Sequence, residues 1–78
     1  MIVRVVRGQL IRLDGARLAE LRHAHGFTLR DVERHTGCSR MAVCNWENES
    51  VMPRVVSVLR DLYGDALQSS GALTTEDL

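Results

Sequence analysis

Arg40, Met41, Cys44, Asn45 and Asn48 recur at a spacing that sets them on one side of a helix. Their side chains have the chemistry needed to read base-pair edges. Arginine can donate two parallel hydrogen bonds to guanine, asparagine can form two with adenine, and a methionine or cysteine sulfur can touch a thymine methyl. Ser39, a further base-contacting candidate, stands just before this stretch and Thr28 before an earlier one. Both are positions where the unpaired amides of a helix start favour phosphate. Arg30, Arg34 and Arg54 supply cations that can neutralise phosphates nearby, and Asn48 is a further phosphate-contacting candidate.

Two short helices must position these groups. Thr28-Leu-Arg-Asp31 is a variant capping box, with Asp where Glu or Gln is usual, and it opens a helix over Leu29 to about His35. Gly37 supplies a left-handed turn residue. Ser39 then caps a helix from Arg40 to about Glu47. Val32, Cys38, Val43 and Trp46 fall where the two helices must touch, with Val43 and Trp46 sharing a face. Helix, tight turn and second helix together form a helix-turn-helix pattern, in which the second helix enters the major groove.

Around this unit the chain reads as mainly α: a four- to five-helix domain with a short N-terminal β-hairpin or strand. Ile2 to Val6 and Leu10 to Leu13 are apolar runs flanking Arg7, Gly8 and Gln9, which predicts the hairpin within an extension over 1–13. Residues 14–64 form the helical domain. Asp14 caps a first helix that carries Leu18 and Leu21 and ends at Gly26. A fourth helix begins near Pro53, carries apolar residues at 55, 58, 59 and 62, and stops at Gly64. Residues 65–78 read as a short helical turn followed by a mobile polar tail.

The 78 residues carry a formal net charge of zero, unevenly spread. Residues 1–40 hold eight of the ten basic residues, all ten of them arginine, and residues 41–78 hold six of the ten acids. Arginine grips phosphate or guanine with two bonds where lysine offers a point charge. Cys38 and Cys44 match neither zinc nor redox spacing and read as free thiols. His23, His25 and His35 fit no metal-ligand pattern, so no metal or cofactor is expected. No nucleophile, base and orienting acid can be assembled, so no enzyme activity is expected. The apolar start is broken by Arg4 and Arg7, and no run approaches the roughly 20 residues of a membrane span. A cytoplasmic protein with no membrane partner is the expectation.

From about Leu13 to Gly64 the chain resembles the phage-repressor-like (XRE, Cro/repressor type) helix-turn-helix family. The resemblance rests on Leu18-Ala-Glu-Leu21-Arg22, Gly26-Phe27-Thr28-Leu29, Thr36-Gly37-Cys38-Ser39-Arg40 and Trp46-Glu47-Asn48, followed by Pro53. It implies that Arg40, Met41 and Asn45 stand at base-contacting positions and Arg54 at a phosphate-contacting one. It implies a structural salt bridge between Arg22 and Glu47. It also implies regulation of transcription by a dimer on a two-fold operator.

The departures carry information too. Glu33 stands where the family usually has a small residue, so its carboxylate must swing to solvent or find an arginine. Leu29 replaces a frequent glutamine and Glu49 a usual glycine, while Ser50, Val51 and Met52 replace a stretch that is often basic. These changes imply fewer phosphate contacts and a shallower salt dependence than the family norm.

The reading is therefore a sequence-specific regulator of transcription that binds an operator in double-stranded DNA. It is a repressor of phage-immunity or antitoxin type, with a regulatory protein as a further partner. The dimer surface is either the N-terminal strand or the region of the fourth helix and Tyr63. The alternative is a protein-interaction module that keeps the fold without specific DNA binding. Zero net charge, Glu33, Glu49 and the Val51-Met52 loop motivate it, with Met41, Val51 and Met52 as contact residues.

Overall fold

The computed structural model describes residues 3–53 and 56–77. Its first elements are β1 (Val3–Val6) and β2 (Gln9–Leu13), joined by a two-residue turn. Arg7 and Gly8 both take positive φ, 51° and 76°. That pairing makes a turn whose twist matches the right-handed twist of the strands. The register pairs Val6 with Gln9 and Val3 with Arg12. Gln9, expected in the connection, is thus the first residue of β2.

Five helices follow: α1 (Gly15–Ala24), α2 (Leu29–Thr36), α3 (Arg40–Asn48), α4 (Ser57–Tyr63) and α5 (Ala66–Ser69). The expected caps set the first three starts. Asp14 Oδ1 accepts from the Arg17 amide at 3.2 Å, Thr28 Oγ1 from Asp31 at 3.1 Å and Ser39 Oγ from Ala42 at 3.2 Å. Gly37 closes α2 at φ 71°, where a side chain on Cα would strain the turn. The fourth helix was expected from Pro53. Pro53 instead lies in irregular structure, and among the described residues α4 begins at Ser57. Arg54 and Val55 lie outside the described residues.

The expected mobile tail is a correction. Residues 73–77 form β3 (Leu73–Asp77), antiparallel to β2, in a sheet of order β1-β2-β3. Gln9 pairs with Asp77 and Leu13 with Leu73. Arg12 Nη1 lies 2.8 Å from Glu76 Oε1 across the two strands. The two ends of the chain therefore build one sheet rather than an extension and a tail. The physical reason is Leu73, fully buried beside Leu13 and Ala72, which fixes the strand to the core. An Asp14 amide bond to the Ala72 carbonyl, 2.8 Å, holds the entry to β3 against the start of α1.

The result is mainly α with a small antiparallel sheet. Leu13, Leu18, Val32, Val43, Leu59, Leu67 and Leu73 are fully buried and drawn from the sheet and all five helices. Burying each such side chain contributes about 1.5–3 kcal/mol. None of the helices is long and apolar enough to cross a membrane among the described residues.

Candidate nucleic-acid interface

The α2–α3 pair is held by its inner face. Val32 from α2 and Val43 and Trp46 from α3 are buried in the common core, with Cys38 half-buried against them. The turn between the helices is internally bonded. Thr36 Oγ1 donates to the Val32 carbonyl at 2.7 Å and accepts from the Cys38 amide at 3.3 Å. These contacts fix how α3 leaves α2, and so which residues of α3 face outward.

Arg40, Met41, Asn45 and Asn48 are exposed, and Met41 retains 74% of its surface. Cys44, on the same side, is half-buried. Ser39 is exposed at the start of α3 with its hydroxyl accepting from Ala42. The structure thus brings these sequence candidates onto one outward strip. Arg30 and Arg34 are exposed on α2, four residues apart and so on one side of it. Arg54 lies outside the described residues.

Thr28 is exposed, but its capping box is complete. Its amide donates to Asp31 Oδ2 at 2.8 Å while its hydroxyl accepts from the Asp31 amide. The Thr28 backbone amide holds the Asp31 carboxyl below its ordinary value, and the Thr28 hydroxyl adds to this. A phosphate approaching this helix start would meet a carboxylate already seated on that amide, leaving the hydroxyl of Thr28 as the group able to bind it.

Glu33 resolves its unusual position by finding an arginine. Its Oε2 lies 3.9 Å from Arg40 Nε, so one carboxylate on α2 sits beside the first residue of α3. Arg22 and Glu47 form the expected pair, with Nε to Oε2 at 2.8 Å. Arg22 Nη1 also donates to the Phe27 carbonyl at 2.9 Å, which ties the α1–α2 corner into the same network.

Two residues that pattern reading passed over support this face from behind. Gly15 opens α1 against the end of α3, where a Cβ would overlap the carbonyl oxygens of Trp46 and Glu47. Ser50 Oγ accepts from the Gly15 amide at 3.0 Å. The sequence signal for Gly15 was a small residue at the first helical position. Nothing local signals Ser50, whose partner lies 35 residues earlier.

His25 follows α1 directly and His35 lies in the last turn of α2, and both rings approach Phe27. His25 stands edge-on to Tyr63 with centroids 5.3 Å apart, and Phe27 lies 5.7 Å from both His25 and His35. Among the described residues no three His, Cys, Asp or Glu side chains are grouped to hold a metal ion. Compared with known proteins, the chain matches no family model, no curated protein and no solved structure.

Proposed function

We propose that α2 and α3 form a helix-turn-helix of the repressor-like kind and that the protein is a sequence-specific double-stranded DNA-binding regulator of transcription. The observation that carries this reading is the outward strip of α3. It presents Arg40, Met41, Asn45 and Asn48 to solvent while Val43 and Trp46 anchor the opposite side. A helix so mounted has the width and the donor and acceptor groups to enter a major groove. Arg40 contacts guanine, Asn45 adenine, and Met41 a thymine methyl. Arg30, Arg34 and Asn48 take phosphates on either side. Gly37, Trp46, Arg22 and Glu47 hold the frame. A repressor of phage-immunity or antitoxin type fits so small a domain.

The test is selection from random duplex DNA by purified protein, followed by titration of the selected site at two salt concentrations. Recovery of a motif whose binding is lost in Asn45→Ala supports specific recognition. Folded protein that enriches no sequence overturns it.

Two observations favour a second reading, a protein-interaction module. Met41, with 74% of its surface exposed, is an apolar side chain left to solvent, and Glu33 offsets the charge of Arg40 beside it. In that case binding to a partner survives high salt and tolerates Arg40→Ala. DNA binding would show the opposite, a steep salt slope and loss in that variant.

A further inference from the structure

We propose that the outer edge of β1 is where two copies of this chain associate, strand to strand and antiparallel, about a two-fold axis. The inference does not depend on the DNA reading. Arg7 and Gly8 make a two-residue turn between β1 and β2. Such a hairpin closes on a hydrogen-bonded pair, here Val6 and Gln9. Bonding alternates along an antiparallel ladder, so Arg4 also bonds to Ile11, and the amides and carbonyls of Val3 and Val5 point away from β2. β1 is the end strand of its sheet, so those groups line an edge that a further strand can extend.

The two edges of the sheet differ. β3 ends in Glu76 and Asp77, so two β3 strands brought together would oppose acids. β1 is β-branched except for Arg4 and has no proline or lysine to blunt it. Val5 is 60% exposed, and its register partner Leu10 on the same face is half-buried. A register centred on Val5 lays Leu10, Val5, and their two counterparts in one apolar row across the joined sheets. It also sets Arg4 of each copy across from Val6 of the other, so no two arginines face directly.

An antiparallel edge is complementary to itself, which is why a second copy is the occupant and why the assembly closes at two. The edge is short, well under the roughly 1,600 Å² of a standard stable interface, so the dimer dissociates on dilution.

Sedimentation equilibrium of the full chain, without DNA, tests this across concentrations up to about 1 mM. The pair Val5→Pro and Thr75→Pro discriminates the edges. Each removes an amide that points away from β2, so each leaves the sheet's own ladder intact. The expected result is a wild-type mass rising toward twice that of one chain, a Val5→Pro variant that stays monomeric, and a Thr75→Pro variant that behaves as wild type. Circular dichroism confirms that both variants keep their helices. If Val5→Pro unfolds, the wild-type amide resonances decide: those of Val3 and Val5 shift with concentration and that of Thr75 does not. A wild-type protein monomeric throughout overturns the proposal, as does a dimer that Val5→Pro leaves intact or one whose Val3 and Val5 amides do not shift. Mass growing past two copies and abolished by Thr75→Pro overturns it in favour of head-to-tail pairing of β1 with β3.

Discussion

The Arg22 guanidinium grips both oxygens of the Glu47 carboxylate, with Nε 2.8 Å from Oε2 and Nη2 3.2 Å from Oε1, and so joins α1 to α3. The two side chains retain 11% and 7% of their surface, so the pair is largely out of water. Removing one partner leaves a buried charge. Glu47→Gln should therefore cost about 3–5 kcal/mol, a large share of the whole stability of so small a domain. Replacing both, as Arg22→Met with Glu47→Leu, should recover most of that loss. Urea unfolding of the three variants checks this. A Glu47→Gln loss below about 1 kcal/mol would show that the pair is not what holds α3 to α1.

Gly15 and Gly37 should respond differently to the same substitution. At Gly15 a methyl group would overlap the carbonyl oxygens of Trp46 and Glu47, so Gly15→Ala forces α1 from α3. The expected loss is about 1–3 kcal/mol despite the better helix propensity of alanine. At Gly37 a Cβ meets nothing within 4 Å, and the cost comes from the backbone at φ 71°. Gly37→Ala should lose about 1–2 kcal/mol and Gly37→Asn less. Equal stability of Gly37→Asn and Gly37→Ala would argue against the left-handed turn.

β3 should matter to stability, although it is built mostly of polar residues. Leu73→Ala removes a fully buried side chain and should cost about 2–5 kcal/mol. Thr74→Ala, at an exposed position beside it, should change stability by less than about 0.5 kcal/mol. Thermal melts of the two variants compare them directly. A Leu73→Ala protein as stable as wild type would mean that the strand does not seal the core.

Asp31 and Tyr63 should contribute at opposite ends of the pH range. The Asp31 carboxyl lies below its ordinary value of 3.8, through its bonds with the Thr28 amide and hydroxyl. Its depressed folded value means that its contribution is present at neutral pH and is lost as pH falls below about 4 through the folded value. Asp31→Asn should flatten that acid limb. Tyr63 is raised to about 12 by burial, with the Glu47 charge adding to the effect. Its contribution is complete below pH 10, the ordinary value, and fades as pH rises toward about 12. The phenolate absorbance of the folded protein should appear about two units later than in denaturant, since Tyr63 is the one tyrosine in the chain.

On a selected DNA site, side chains of the α2–α3 face should separate by role. Asn45→Ala should lose about 1–3 kcal/mol of discrimination at one base pair. Arg34→Ala should weaken all sequences alike and lower the salt slope by about one. Glu33→Gln should strengthen binding, because it frees Arg40 of a carboxylate 3.9 Å away and removes a negative charge near phosphates. Weaker binding in Glu33→Gln would instead mean that Glu33 positions Arg40 for its contact.

Much of the helical frame was legible because its signals are local. Asp14, Thr28 with Asp31, and Ser39 each cap a helix through an amide three residues on, and Gly37 ends α2 through its own backbone conformation. The outward strip of α3 was legible as well. Val43 and Trp46 are buried, and helical spacing then leaves Arg40, Met41 and Asn45 outside.

Residue order alone sets where the short helices begin and which side of α3 is left to solvent. Those outcomes follow from interactions three or four residues apart, whose residue types can be read in order. Tertiary structure alone decided that Leu73 to Asp77 is a strand, that Glu33 lies beside Arg40, and that Gly15 and Ser50 close α1 onto the end of α3. β3 carries one fully buried leucine among Thr and acidic residues, a pattern that a solvated tail shares. Its strand form comes from Gln9–Leu13, sixty-odd residues earlier, whose backbone groups and Leu13 side chain β3 meets in the folded chain.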